Sequence, residues 1–389
     1  MRFSLIYEAQ TTDASRAGDR KVFDDMVEQV MLAEEVGFDI IWCVEHTALT
    51  YYAHMSVPET FLAFIAGKTS RIGIGHGVVC LPPNMNHPVK VAERIGCLDI
   101  LSKGRVHFGV GKGGTQQESG TFGYDLNTLP EQIDESMYLI PKIMVQDEIE
   151  HHGKYIDIPK RPIHPKPYQD PHPPMYLACT NTDTLTKAGK RGMGALVLGF
   201  GGPDDVANKN RIYREAWASR KPEEQVGFRP IEHLAALCPA IVLDNGKEAR
   251  KIGIRGQRFF MEAITYWNGG GPLPDWNAWA DADDTVETTT GQTVIKSQWA
   301  SEKITVDFSD PSLMLSNPNH AYGTVEDCIG YVEKLIEAGA DEILFICQMG
   351  TVPQWAQLQT ISNIGRYVIP YFRAKRPGKA SPTIAIAAE

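Results

Sequence analysis

Arg2-Phe3-Ser4-Leu5-Ile6-Tyr7 is a short apolar run with strand character, and it leads into Ala9-Gln10-Thr11-Thr12. An open, doubly wound α/β sheet normally places a glycine-rich phosphate loop after its first strand. No such loop follows here. Working outward, apolar runs of strand length recur at Asp39–Val44, Ile72–Cys80, Arg105–Val110, Met175–Cys179, Ala195–Phe200, His233–Leu243 and Glu342–Cys347. Helical periods separate them, over Val22–Val36, Pro58–Lys68, Pro88–Leu101, Pro130–Val145, Asp204–Arg220, Lys247–Trp267, Thr324–Ala338 and Pro353–Phe372, with a further helix ending near Arg191. Strands alternating with helices predict a parallel sheet, and eight such strands are what closes a (β/α)8 TIM barrel.

Three stretches interrupt the alternation. Glu148–Ile158 holds two short alternating runs around Gly153 and reads as a surface hairpin, followed by a proline-rich connector from Pro159 to Pro174. Asn268–His320, a long insertion after strand seven, has no clear period. It opens with Gly269-Gly270-Gly271 and carries Trp276, Trp279 and Trp299. Long irregular insertions in compact domains often close over a site, so this one is expected to be an active-site lid. Residues 375–389 read as a mobile tail, leaving residues 1–374 as a single barrel domain.

Of the 389 residues, 43% are apolar, enough for a large core, and the net charge is −10. Phosphate backbones need clustered Lys and Arg, so no nucleic-acid partner is expected. The seven cysteines lack the close C-x-x-C spacing of a zinc or redox site. Free buried thiols, no metal, no membrane span and a cytoplasmic location are the expectations that follow.

In a barrel, the residues after each strand face the site. His46 follows strand two and is a candidate proton carrier, with Tyr51 and Tyr52 as candidate walls of a substrate pocket. Gly75-His76-Gly77-Val78 lies within strand three, where glycine marks close approach of a ligand. Gly109-Val110-Gly111-Lys112-Gly113-Gly114 follows strand four. It matches G-x-G-x-x-G by letters, but Thr115-Gln116-Gln117-Glu118-Ser119 is polar throughout and gives no helical signal, so a dinucleotide fingerprint is not complete. Lys112 and the loop amides suit an anion instead. Cys179-Thr180-Asn181-Thr182-Asp183-Thr184 opens the next helix, whose N-terminus favours phosphate. Together these loops predict a phosphate-bearing cofactor in the barrel mouth.

Several stretches are similar to the bacterial luciferase-like flavin monooxygenases: Trp42-Cys43-Val44-Glu45-His46, Asn86-His87-Pro88-Val89-Lys90-Val91-Ala92-Glu93, Leu98-Asp99-Ile100-Leu101-Ser102-Lys103-Gly104-Arg105, Gly153-Lys154-Tyr155 and Pro171-His172-Pro173-Pro174. The resemblance implies a barrel that takes reduced FMN from a separate flavin reductase and uses O2 to oxygenate a small organic molecule. By the same resemblance His46 is the active-site histidine, Lys112 meets the flavin phosphate with Cys179, Thr180 and Thr184, and a cis peptide beside the flavin falls on Gly77–Val78. The reactive cysteine of luciferase falls on Gly111, so light emission is not expected. Two other readings share the barrel: an oxidoreductase of the deazaflavin coenzyme, which moves hydride without oxygen, and a non-catalytic flavin-binding subunit. A homodimer is expected through Pro58–Lys68 and Pro88–Leu101, rich in Phe61, Leu62, Phe64, Ile65, Ile95, Cys97 and Leu98.

The incomplete dinucleotide fingerprint has a direct consequence. The purified chain is expected not to oxidise NADH by itself, and stoichiometric loss of NADH absorbance with this protein alone would contradict that.

Overall fold

The computed structural model describes residues 1–113, 115–269 and 320–375, with 273 and the short segments 285–287 and 293–295. Eight parallel strands close on themselves: β1 (Arg2–Tyr7), β2 (Ile40–Cys43), β3 (Gly73–Cys80), β4 (Val106–Gly111), β5 (Met175–Cys179), β6 (Gly194–Val197), β7 (Leu234–Val242) and β8 (Glu342–Ile346). Neighbours in sequence are neighbours in space. The ring closes where Ala195 of β6 pairs with Leu234 of β7 and where Arg2 of β1 pairs with Glu342 of β8. Ala321–Gly323 adds a short parallel strand on the far end of β7. The barrel and the strand positions agree with the sequence reading.

Helices α1 (Arg16–Val36), α2 (Pro58–Lys68), α3 (Pro88–Leu101), α4 (Gln116–Phe122), α5 (Leu129–Val145), α6 (Thr182–Lys190), α7 (Pro203–Ala218), α8 (Gly246–Gly269), α9 (Val325–Glu337), α10 (Gln354–Asn363) and α11 (Ile369–Lys375) connect the strands and pack outside them. α1 begins six residues before its apolar period because the Ser15 side chain accepts from Ala17 N and Gly18 N. It ends at Gly37, whose φ of 103° only glycine adopts freely. The last helix is interrupted by a π turn at Ile364–Val368. Glu148–His152 and Asp157–Pro162 form the expected antiparallel hairpin. All seven cysteines are free thiols, and only Cys97 is exposed.

One expectation is corrected. The polar stretch after β4 is helical: α4 starts with a reciprocal capping box in which Thr115 and Glu118 each bond the other's backbone N–H. A search for an apolar face misses it because the buried residue of α4 is a carboxylate, Glu118. The lid expected at 268–320 and the tail at 375–389 lie almost wholly outside the described residues.

Polar side chains fill the N-terminal end of the barrel. Glu342 is fully buried and accepts from Trp42 Nε1 at 2.8 Å, with His233 Nε2 at 2.8 Å on its other oxygen and Arg2 at 3.9 Å. Arg2 also donates to the Tyr176 hydroxyl at 3.0 Å. Burial alone would raise the Glu342 pKa. His233 and the Arg2 guanidinium reverse this and hold it at about 2, against an ordinary 4.5. A carboxyl depressed in the folded state contributes stability above its unfolded value and loses it as pH falls through the folded one. Glu342→Gln is therefore expected to lower stability at neutral pH by roughly 3–5 kcal/mol, the usual cost of breaking a buried pair. Denaturant titrations at stepped pH should also show a shallower acid loss in the variant between 4.5 and about 2. Parallel curves for the two proteins would show that Glu342 contributes nothing.

Candidate active site

A cavity of about 640 Å³ opens at the C-terminal ends of the strands. One end is built around His46. Its backbone N–H bonds Met55 O at 3.0 Å, which fixes the loop after β2. Its ring lies 5.5 Å from that of Tyr52, and about a quarter of the side chain, 26%, stays exposed. His46 Nδ1 faces Glu118 Oε1 at 3.2 Å, and Nε2 faces Glu8 Oε2 at 4.0 Å. Burial would lower the His46 pKa, but Glu118, Glu8 and Glu45 outweigh it and the pKa is raised. Glu118 also accepts from Thr115 N and Oγ1 and from Thr47 N, so α4, the β2 loop and His46 share one carboxylate.

Glu8 and Glu118 are the site residues that the sequence reading missed. Glu8 directly follows β1, a position that faces the site, but a single carboxylate there carries no pattern. Glu118 was hidden by the unrecognised helix. Glu45 plays a different part. It accepts from Cys80 N at 2.6 Å and from Asn86 Nδ2 at 3.0 Å, tying the end of β2 to the loop after β3. Burial raises its pKa to about 7 against those bonds.

The middle of the cavity runs past Gly77 and Val78, whose peptide bond is cis, beside a register shift between β3 and β4. The strands approach so closely that a Cβ on Gly111 would sit 2.5 Å from Val78 Cγ2. The position matching luciferase's reactive cysteine therefore has no room for a side chain. The opposing wall is apolar. Tyr52 meets Phe260 edge to face and Phe200 packs tilted against it, at ring distances of 5.3 and 5.0 Å, and Leu237 and Ile346 continue the wall.

Lys112, Thr180 and Thr184 also line the cavity. Asn181 caps α6 by accepting from Thr184 N at 3.0 Å, and the Thr184 side chain bonds back to Asn181 N. Lys187 pairs with Asp183 at 2.9 Å, and Arg191 forms a two-pronged pair with Asp134 at 2.8 and 2.7 Å. Lys112 has no ion-pair partner among the described residues. The sequence showed Lys187 to Arg191 only as a short basic cluster. Two expected residues are not on the cavity wall. Cys179 is fully buried, its thiol turned to Leu177 O and Thr184 O, and Tyr51 holds a φ of 69° while its carbonyl accepts from Thr11 N. Among the described residues no cluster of ligating side chains could hold a metal, and no helix is long and apolar enough to cross a membrane.

The profile of the luciferase-like monooxygenases matches residues 1–342. The chain belongs to that family. Among relatives, the alkanal monooxygenase alpha chain of Photorhabdus laumondii is 24% identical over 82% of this chain and 83% of its own. The oxygenase component of the flavin-dependent trigonelline monooxygenase of Acinetobacter baylyi is 29% identical over 47% of this chain, which spans about half that relative's length (50%). An F420-dependent glucose-6-phosphate dehydrogenase of Amycolatopsis mediterranei is 29% identical over 54% of this chain and 63% of its own. Among solved structures, monooxygenase RslO1 of Streptomyces bottropensis shares the fold with a TM-score of 0.74 at 19% identity, covering 96% of this chain and 100% of that one. The relatives matched thus include proteins named as flavin-dependent monooxygenases and others named as F420-dependent.

Proposed function

We propose that this chain is the oxygenase component of a two-component monooxygenase, using reduced FMN from a separate reductase and O2 to oxygenate a small, largely apolar molecule. The observation that carries this is one cavity lined both by Lys112, an ammonium with no ion-pair partner among the described residues, and by His46, an imidazole flanked by carboxylates. The residues fit a flavin mononucleotide. Lys112, Thr180 and the start of α6 offer charge and donors to a phosphate. Gly77 and Val78 line the same cavity, where the ring system would lie. When bound, the flavin would supply the two electrons that O2 requires. The protein's own part is to orient the flavin, to keep water away with the Tyr52, Phe200 and Phe260 wall, and to hold or release a proton at His46 Nε2. Asn268, where the long insertion begins, lines the cavity.

The deazaflavin coenzyme is the second reading, favoured by the F420-dependent relative. Anaerobic titration with each reduced coenzyme separates the two, since the tighter ligand identifies the cofactor. We also propose a homodimer, on a surface adjusted from the sequence reading. Phe61, Leu62, Ile65, Ile95 and Leu98 are used up in the chain's own core, while Val57, Phe64, Ile100 and Leu101 are exposed on and beside α2 and α3.

In the same titration, Lys112→Ala is expected to weaken reduced FMN by about 1.5–3 kcal/mol, the worth of a hydrogen bond to a charged group. Equal affinities would remove Lys112 from the site. His46→Ala is expected to bind flavin nearly as well as wild type but to give about 10²–10⁴-fold slower product formation. An unchanged product yield per flavin oxidised would leave His46 a structural residue and favour a non-catalytic subunit.

A further inference from the structure

Glu8 is a carboxyl group with no structural task that the described residues reveal. It is only 6% exposed, its Oε2 has no hydrogen-bond partner among the described residues, and it lines the cavity. A buried carboxyl oxygen with no partner among the described residues is costly to keep, so its presence calls for a use. His46 Nε2 lies 4.0 Å from that oxygen. That gap is slightly longer than a hydrogen bond, of the kind that closes when a ligand fills a site. On the opposite edge of the ring, Glu118 holds Nδ1. With a carboxylate as partner, Nδ1 carries a hydrogen, and Nε2 is left to exchange protons with the cavity.

We propose that Glu8, His46 and Glu118 form a proton relay in which Glu8 resupplies the proton that His46 delivers into the cavity, while Glu118 fixes the imidazole. In one step the Nε2–H bond of the imidazolium breaks and its proton passes to a lone pair of an oxygen bound in the cavity. In the next, the freed Nε2 takes the proton of the Glu8 carboxyl, leaving a carboxylate that water later reprotonates. No electrons change hands, and the charge lost by His46 is regained from Glu8. Burial raises Glu8 to about 7, against the opposing pull of His46, which suits a group that must both hold and give up a proton. The titratable groups coupled to Glu8 are His46 and Tyr52, both from the loop after β2. The Tyr52 phenol is pushed up by burial and by Glu8 and Glu118, so it stays neutral and does not compete. Glu8 acts through His46 and is a positioning and proton-holding residue.

The role in turnover rests on the oxygenase reading, whereas the Glu8–His46 coupling does not, and the two are tested apart. The ring nitrogen shifts of His46 are followed against pH in 15N-histidine-labelled protein without cofactor, with His46→Gln identifying the resonance. Wild type is expected to show a second inflection near pH 7 from Glu8. In the isosteric Glu8→Gln that inflection disappears and the His46 midpoint falls, because one negative neighbour is gone. Superimposable curves for wild type and Glu8→Gln would overturn the relay. Should Glu8→Gln fail to fold, Glu8→Asp is measured instead. A displaced inflection supports the relay, and a curve matching wild type overturns it. If the coupling is present but neither reduced coenzyme binds, the oxygenase reading fails while the coupling stands.

Discussion

The backbone ladder at β7 holds this molecule together. That strand pairs with β6 on one side and β8 on the other, and its far end also pairs with Ala321–Gly323. Without the β6–β7 pairs the sheet would be open, with two rows of unmet N–H and C=O groups. Closure removes both edges and forces all eight C-terminal loops to converge on one mouth. The cavity is therefore a consequence of the hydrogen-bond ladder, and its lining is set by whatever residues each strand delivers at its end.

The two ends of the barrel use buried charge differently. At the N-terminal end, Glu342 has His233 and Arg2 on its oxygens and is held well below the ordinary carboxyl range. At the C-terminal end, Glu8 Oε2 has no hydrogen-bond partner among the described residues, and burial pushes the group up to about 7. The same chemical group is a fixed anion in one place and a titrating acid in the other. The difference comes from the number of donors within reach, and it divides the barrel into a stabilising floor and a reactive mouth.

Much of this was legible in the sequence. The strands announced themselves as apolar runs because they are buried on both faces, and the helices by period. His46, Lys112, Gly77, Val78, Thr180 and Thr184 all line the cavity, as their positions after or within strands implied. What stayed hidden has a common cause. α4 is short and buries a carboxylate, so its periodicity is invisible to any search for apolar residues. Glu8 and Arg191 gain meaning only from partners 38 and 57 positions away, His46 and Asp134. Cys179 was placed by the family resemblance and Tyr51 by its nearness to His46 in sequence, but side-chain direction and a left-handed backbone turn them elsewhere.

The contact between His46 and Glu118 has one more consequence. Glu118 caps a helix, steadies a loop and orients the imidazole with the same two oxygens. A change at position 118 disturbs the folding of α4 and the state of the imidazole together, while a change at position 46 leaves a buried carboxylate facing a gap. Neither position can drift alone without cost to both structure and chemistry. In a lineage descending from this chain, the two residues are expected to be lost or exchanged as a pair, so that genetic interaction between them becomes a record of whether the site is still in use.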